Sequence, residues 1–523
     1  MPTDPAAAPP PGPLVDALRA DLDAAGFTVE GLAAAWGPVA AAALGRDDRV
    51  PALVALRLAP VSAVGVLGRL FVLGVPVPAD DAATALPTLG VDGAVELGVL
   101  RRSAEGTEGA GATVVARIDL RPYAVADLTG VSSWWIASDL GEAALGGELP
   151  AGHVLGAGAA SSTLIGILVP PGAGRVLDLG TGSGIQALHA AEAGASVVAT
   201  DIAPRAIGFA RLNADLNRVD LDLRLGSLYE PVAGERFDRI VSNPPFVITP
   251  RGRAEVPDYT YRDGGAVGDG LTEQVVRGAA THLVPGGIAQ LLGNWEVTGD
   301  EPAARDRVLG WAHGLDAWIV QRDLLDPAEY AETWVRDGGA RAGSPRSQAL
   351  LRAWLTDFDA RGVTAIGTGY LTLRLPASGA PTLRRFEALT EPLAGGIGAA
   401  IASGLAAHDW QAGRDDGALA AARLQVAPSV TEHRHYWPGD ADPTVIELHQ
   451  GTGFARRRRV DTALAAVVGA CDGELTLGAI IDAVAALLQA DPAGVRRAVL
   501  PQVRELLVEG FLEVTAPMPD PAV

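Results

Sequence analysis

Residues 175–201, RVLDLGTGSGIQALHAAEAGASVVATD, constrain the fold of this chain more than any other segment. An apolar strand runs into Gly180, Gly182 and Gly184, a helix follows, and a second apolar strand closes on Asp201. Strand, tight turn, helix and strand make a βαβ unit, and such units build open sheets with helices on both faces. Further short apolar runs continue the alternation: DLRLG (222–226), RIVSN (239–243), GIAQLLG (287–293), AWIVQRD (317–323) and GYLTLRL (369–375). The pattern predicts an α/β, Rossmann-like core of seven strands in a parallel sheet over residues 149–376, with a helical insertion before the last strand.

The glycine turn implies a ligand. Glycines let the backbone turn sharply and approach a bound group that a Cβ would block. The loop is G-T-G-S-G rather than G-x-G-x-x-G, and Asp178 sits at the strand end just before it. A carboxylate there would repel a pyrophosphate but suits the α-amino and sulfonium side of S-adenosylmethionine. Asp201, about 20 residues on, stands where an acid binds ribose hydroxyls. GSLYEP (226–231) follows the third strand, and HVLGAGAASSTLIG (153–166) is small and flexible enough to close over the cofactor.

RIVSNPPFVITP (239–250) carries the chemistry. Asn-Pro-Pro-Phe ends the fourth strand, at the carboxyl edge where ligands bind in open α/β sheets. An amide or exocyclic amine is a poor nucleophile because its lone pair is delocalised. The Asn243 side-chain oxygen and the Pro244 carbonyl can each accept a hydrogen from such a nitrogen and hold its lone pair toward a methyl donor. Pro244 and Pro245 fix φ and so fix those acceptors. Phe246 offers a flat face for a planar group.

Together these motifs resemble class I methyltransferases of the amino-methylating branch. They are most similar to the HemK-type protein glutamine methyltransferases and to the small-methyltransferase-domain enzymes that modify ribosomal RNA bases. The resemblance spans about residues 150–300 and includes RDGGAVGDGL (262–271) and HLVPGGIAQLL (282–292). It implies that Asp178, Gly180, Thr181, Gly182 and Gly184 hold the methionine moiety. By the same resemblance Asp201 and Ile202 hold the ribose, Ser227 and Leu228 lie at the adenine, and Asn243, Pro244, Pro245 and Phe246 form the catalytic motif. Phe246 stands where glutamine methyltransferases commonly have Tyr, which leaves two substrates open: a protein side-chain amide such as glutamine, or a guanine N2 or adenine N6 of nucleic acid.

The flanks are less informative. Residues 1–13 read as a proline-rich disordered tail, 14–148 as a helical or winged-helix-like domain with a hairpin, 377–453 as an irregular linker, and 454–516 as a winged-helix-like domain. The apolar stretch 51–78 is broken by Arg57, Arg69 and prolines and reads as buried helices rather than a membrane span. All 41 basic residues are arginine, and the net charge of −21 argues mildly against tracking along duplex nucleic acid. Cys471 is the single cysteine, which excludes an internal disulfide and fits a cytoplasmic protein. Arg251 and Arg253 read as a solvated loop or as a steering site for an anionic substrate. The Arg456 to Arg459 run reads as a solvated linker or a phosphate anchor. His433, His435, Tyr436 and Trp437 match no standard metal spacing, so no metal is expected. Trp134 and Trp135 read as packing residues.

Overall fold

The computed structural model describes residues 12–515 except 47, 104–111, 128–129, 146–148, 171, 173, 253–255, 257–261 and 390. Most of the expected tail therefore lies outside the described residues, and a helix, Gly12–Ala24, already begins at its end. The chain divides into two units: residues to 165 with 171–388, and 166–170 with 389 onward. No single described helix is long and apolar enough to cross a membrane.

The first unit is built on one sheet. Its strands are β1 (Arg175–Leu179), β2 (Ser196–Asp201), β3 (Asp222–Leu225), β4 (Phe237–Ser242), β5 (Leu283–Thr298), β6 (Asp316–Leu325), β7 (Val363–Arg374) and β8 (Arg384–Ala388). They lie side by side in the order β3-β2-β1-β4-β5-β7-β6-β8. The central strands are nearly continuous apolar runs because helices cover both faces; Leu177, Val198, Ile240, Leu291, Ile319 and Leu371 are all buried.

Two expectations about the sheet are corrected. It is not wholly parallel: β7 runs antiparallel to both β5 and β6. Hydrophobic alternation carries no direction, so only the placement of β7 between its neighbours reveals this. The sheet also has eight strands rather than seven. The extra strand, RRFEA, lies parallel to β6 at the edge. Its charges suit an edge and hide it from an apolar search. The domain thus runs to 388 rather than 376.

The boundary expected at 148 does not separate two cores. After β2, helix α1 (Pro204–Asn217) presents Ala206, Phe209, Leu212 and Leu216 to a cluster that holds Leu18, Leu22, Phe27, Leu70 and Phe71 of the N-terminal segment. That segment is mainly helical to Glu96 and then forms an antiparallel pair, Leu100–Arg102 with Thr113–Ala116, to which the short strand Val77–Pro78 adds. A second hairpin, Asp119–Asp127 with Gly130–Ser138, follows it. The stretch 51–78 is buried mainly in its second half; Ala52 is buried, but Val54, Leu58 and Val61 are exposed.

In the second unit, residues 377–453 are not an irregular linker. They contain the helix Ile397–Gln411 and the strands Arg423–Val426, Val430–His435 and Val445–Gln450. Arg423–Val426 is the middle strand of a small antiparallel sheet whose edges are Asp472–Thr476 and Leu512–Val514, far away in sequence. Such short strands paired over such distances leave no local pattern. Three helices, Thr462–Gly469, Leu477–Leu487 and Pro492–Glu509, pack on this sheet through Leu464, Ile481 and Val503, and Phe511, just past the last helix, joins the same core. Asp461, Thr476 and Asp491 cap them at their N-termini, each satisfying an otherwise orphaned backbone donor.

Candidate active site

Gly180, Gly182 and Gly184 all have positive φ, at 76°, 56° and 88°. A Cβ added at Gly180 or Gly182 would meet nothing within 4 Å, so the conformation, not crowding, demands glycine there, and the backbone faces open space. At Gly184 an added Cβ would press on Ala210 of α1 at 3.3 Å. Helix α2 (Ile185–Glu192) leaves the loop at that point.

Both carboxylates hold this loop in shape. Asp178 lies beneath it, 1% exposed. Its Oδ2 accepts from the Thr181 hydroxyl at 2.6 Å and from Ala187 N in the first turn of α2 at 3.1 Å. Burial pushes its carboxyl up to about 7, with those two hydrogen bonds opposing the shift. The sequence suggested a direct contact with the cofactor amine. In the structure Asp178 and Thr181 brace the loop from beneath.

Asp201 ends β2 and remains partly open to solvent. Gly182 N donates to its Oδ2 at 2.9 Å and Ala203 N to its Oδ1 at 2.8 Å; burial raises its carboxyl too. Ile202 follows it, 66% exposed. Ser227 and Leu228 follow the adjacent strand, both half-buried, and Leu228 takes a left-handed φ of 46°, a strained conformation for a branched side chain. The expected cofactor residues therefore gather along the ends of β1, β2 and β3.

Asn243 stands beside this loop. The hydroxyl of Ser242, at the end of β4, donates to the Leu179 carbonyl at 2.7 Å and pins the ends of β4 and β1 together. One residue on, Asn243 Oδ1 is buried and has no hydrogen-bond partner. A buried unpaired acceptor costs about 1–3 kcal/mol, and folded chains keep few of them. Pro244 is buried; Pro245 and Phe246 are half-buried. Phe246 is not a free stacking plate, since it packs edge-on against Trp334 with ring centroids 6.3 Å apart.

The segment after the loop is fastened by residues that sequence reasoning missed. Tyr330, in helix α3 (Pro327–Asp337) of the insertion, is fully buried. Its hydroxyl accepts from Ile248 N at 3.0 Å and from Asn294 Nδ2 at 2.7 Å. Asn294 is available because β5 is longer than expected, pairing with β7 as far as Thr298. RDGGAVGDGL folds back against the same loop: Val247 N donates to the Arg262 carbonyl at 2.9 Å, and Arg251 forms an ion pair with buried Asp263. Arg251 is thus committed to structure rather than to solvent or substrate, while Arg253 lies outside the described residues. Arg262, Trp334, Arg346 and Trp354 line a small pocket.

Asn213 of α1 was also missed. Fully buried, it donates to the Ser183 carbonyl in the glycine loop at 2.8 Å and exchanges bonds with Ala137 N and O of the second hairpin, at 2.7 and 2.9 Å. No local signal marks it, because its partners come from two distant segments.

With this geometry in hand, comparison with known proteins is direct. Residues 156–301 match the model of the methyltransferase small domain, and residues 24–112 and 403–514 each match a domain of unknown function. A release factor glutamine methyltransferase of Geobacter sulfurreducens is 38% identical over 165 residues, 27% of this chain and 58% of that protein. A ribosomal protein uL3 glutamine methyltransferase of Bradyrhizobium diazoefficiens is 35% identical over 195 residues, 34% of this chain and 59% of that protein. Among solved structures, a methyltransferase from Pyrococcus furiosus aligns with 40% of this chain and 77% of its own at 18% identity and a TM-score of 0.24. The chain spans less than two thirds of the length of the curated relatives it matches.

Proposed function

We propose that this chain, carrying a class I methyltransferase core whose residues 156–301 match the methyltransferase small domain, is an S-adenosylmethionine-dependent N-methyltransferase acting on a protein side-chain amide such as that of glutamine. The observation that carries the reading is the orphaned Oδ1 of Asn243, held beside a glycine loop whose backbone faces open space. An acceptor kept buried and unpaired is poised for a donor that arrives with the substrate.

The cofactor, when bound, supplies an electrophilic methyl group on its sulfonium centre. The residues fit it: the Gly180–Gly184 backbone is open on the side a methionine moiety needs, Asp201 can accept from ribose hydroxyls, and Ile202, Ser227 and Leu228 flank the place for the adenine. Asn243 Oδ1 and the Pro244 carbonyl accept the two hydrogens of the target –NH2. That draws its lone pair out of conjugation and stabilises positive charge as it develops on nitrogen. The prolines hold both acceptors at fixed φ, so little reorganisation accompanies the step. No general base is needed, because nitrogen loses its proton readily once methylated.

The names of the Geobacter and Bradyrhizobium relatives, which specify glutamine in a release factor and in a ribosomal protein, support a protein substrate. The partly packed Phe246 is less suited to a flipped base. The lone, buried Cys471 supports a cytoplasmic setting. The test is transfer of labelled methyl from the donor into cell extract treated with protease or with RNase. Label lost to protease but resistant to RNase is expected; label lost to RNase alone overturns the substrate assignment.

A further inference from the structure

The hairpin Asp119–Asp127 with Gly130–Ser138 falls between the stretches 24–112 and 156–301 that match known domains. It holds both ends of an exposed strap. Directly after it, Asp139 engages both backbone groups of Val154. The Asp139 N–H donates to the Val154 carbonyl at 3.1 Å, and Asp139 Oδ2 accepts from Val154 N at 2.9 Å. Gly156 packs against the same end, where an added Cβ would come within 2.8 Å of Ser138 Oγ. Past the strap, in the helix Ala159–Ile167, Ser162 Oγ lies 3.3 Å from the Tyr123 hydroxyl of the hairpin. Tyr123 stacks on buried Trp134, which meets His189 of α2 edge-on at 6.3 Å. Trp134 is thus a packing residue, and it ties the hairpin to the helix that leaves the glycine loop.

Between these anchors Leu155, Ala157 and Gly158 are exposed. Glycine and alanine carry no side chain that could fasten the strap, so its ends set its place. One carboxylate fixes the first end toward the glycine loop. Arg205 Nε donates to Asp139 Oδ2 at 2.9 Å and to Oδ1 at 3.1 Å. Arg205 sits in the first turn of α1, two residues after Ala203, whose N–H donates to Asp201 Oδ1. Asp201 in turn holds Gly182 N. Val154, Asp139, Arg205 and the acid expected at the ribose are therefore joined in a short path. A solvated ion pair would contribute little. The Asp139 side chain is only 13% exposed and also satisfies Val154 N, so its loss strands a backbone donor. His153 Nδ1 lies 4.0 Å from the same carboxylate, but burial lowers its pKa, which leaves Arg205 as the cation.

We propose that Asp139 and Arg205 are positioning residues for methyl-donor binding, an inference that rests on the methyltransferase reading: their pair seats residues 155–158 at the ribose edge of the glycine loop, where the strap covers the donor. Neither side chain has to touch the donor. A strap whose start is already fixed loses less freedom when it closes, and that saving appears as donor affinity. Methyl transfer itself belongs to Asn243 and Pro244 and is left alone. A pair that only stabilised the fold would shift unfolding without shifting affinity.

The test is titration calorimetry of the full chain with S-adenosylhomocysteine, beside urea unfolding and labelled-methyl transfer into cell extract at saturating donor. Asp139→Ala and Arg205→Ala should each weaken binding about tenfold, with the double variant no weaker than Asp139→Ala alone. Arg205→Lys keeps the charge and should recover most of the affinity. Transfer at saturating donor should stay within about twofold of the parent. The Arg205 side chain is 52% exposed, so its variants read affinity even where Asp139→Ala does not fold. Folded variants that bind like the parent, losses that add in the double variant, or transfer that falls as far as affinity would overturn the positioning role and leave the methyltransferase reading standing. A parent chain that does not bind S-adenosylhomocysteine would overturn both.

Discussion

The carboxamide of Asn294 donates to the hydroxyl of Tyr330 across 2.7 Å, and the same hydroxyl receives Ile248 N. A strand residue and an insertion-helix residue thereby fix the backbone that leaves the Asn-Pro-Pro-Phe loop. Tyr330→Phe keeps the ring and strands two buried donors. It should cost about 1–3 kcal/mol in urea unfolding and lower methyl transfer more than donor binding.

Asn243→Ala should behave oppositely. Its Oδ1 has no partner to lose, so stability should stay within about 1 kcal/mol of the parent. Methyl transfer should fall by about 10²-fold or more while calorimetric donor binding persists. Unchanged turnover would remove Asn243 from the mechanism.

Asp201→Ala removes the acceptor of both Gly182 N and Ala203 N. Loop shape and ribose recognition should suffer together. Donor affinity should drop about tenfold or more, with turnover at saturating donor less affected, as titration calorimetry and initial rates would show.

Asp178 predicts a pH dependence. Its carboxyl is raised to about 7 in the fold and is near 4 in the unfolded chain, so the folded state binds the extra proton between those values. Stability should therefore fall as pH rises from about 4 to about 7 and level off above, by an amount on the order of 4 kcal/mol for this one group. Asp178→Asn should remove that slope; chemical denaturation at several pH values reads it.

Asn213→Ala would leave Ala137 N and the Ser183 carbonyl without their partner in a fully buried position. A loss of about 2–4 kcal/mol is expected. Because one side chain joins the second hairpin to the glycine loop, donor binding should weaken as well. Normal affinity in a destabilised variant would show that the hairpin does not govern the loop.

The contrast between Asp178 and Asn243 shows how far local pattern reaches. Both stood out in the sequence as candidate site residues, since each lies at the end of an easily read apolar run. Their tasks were not equally legible. Whether a strand-end carboxylate turns toward a ligand or under its own loop depends on which backbone donors lie there, and Ala187 N and the Thr181 hydroxyl took Asp178.

Sequence alone determined the βαβ start, the glycine turn, the succession of the main strands along the chain and the position of the Asn-Pro-Pro-Phe loop, because periodicity and backbone-specific residues act over a few neighbours. Tertiary structure decided the antiparallel sense of β7, the charged edge strand β8 and the merging of the N-terminal segment with α1. It also decided the support of the Asn-Pro-Pro-Phe loop by Tyr330 and of the glycine loop by Asn213, and the meeting of the histidine and arginine segments on one sheet. Those features depend on contacts between residues far apart in the chain, and a short polar or charged segment shows its partner only when the chain is folded.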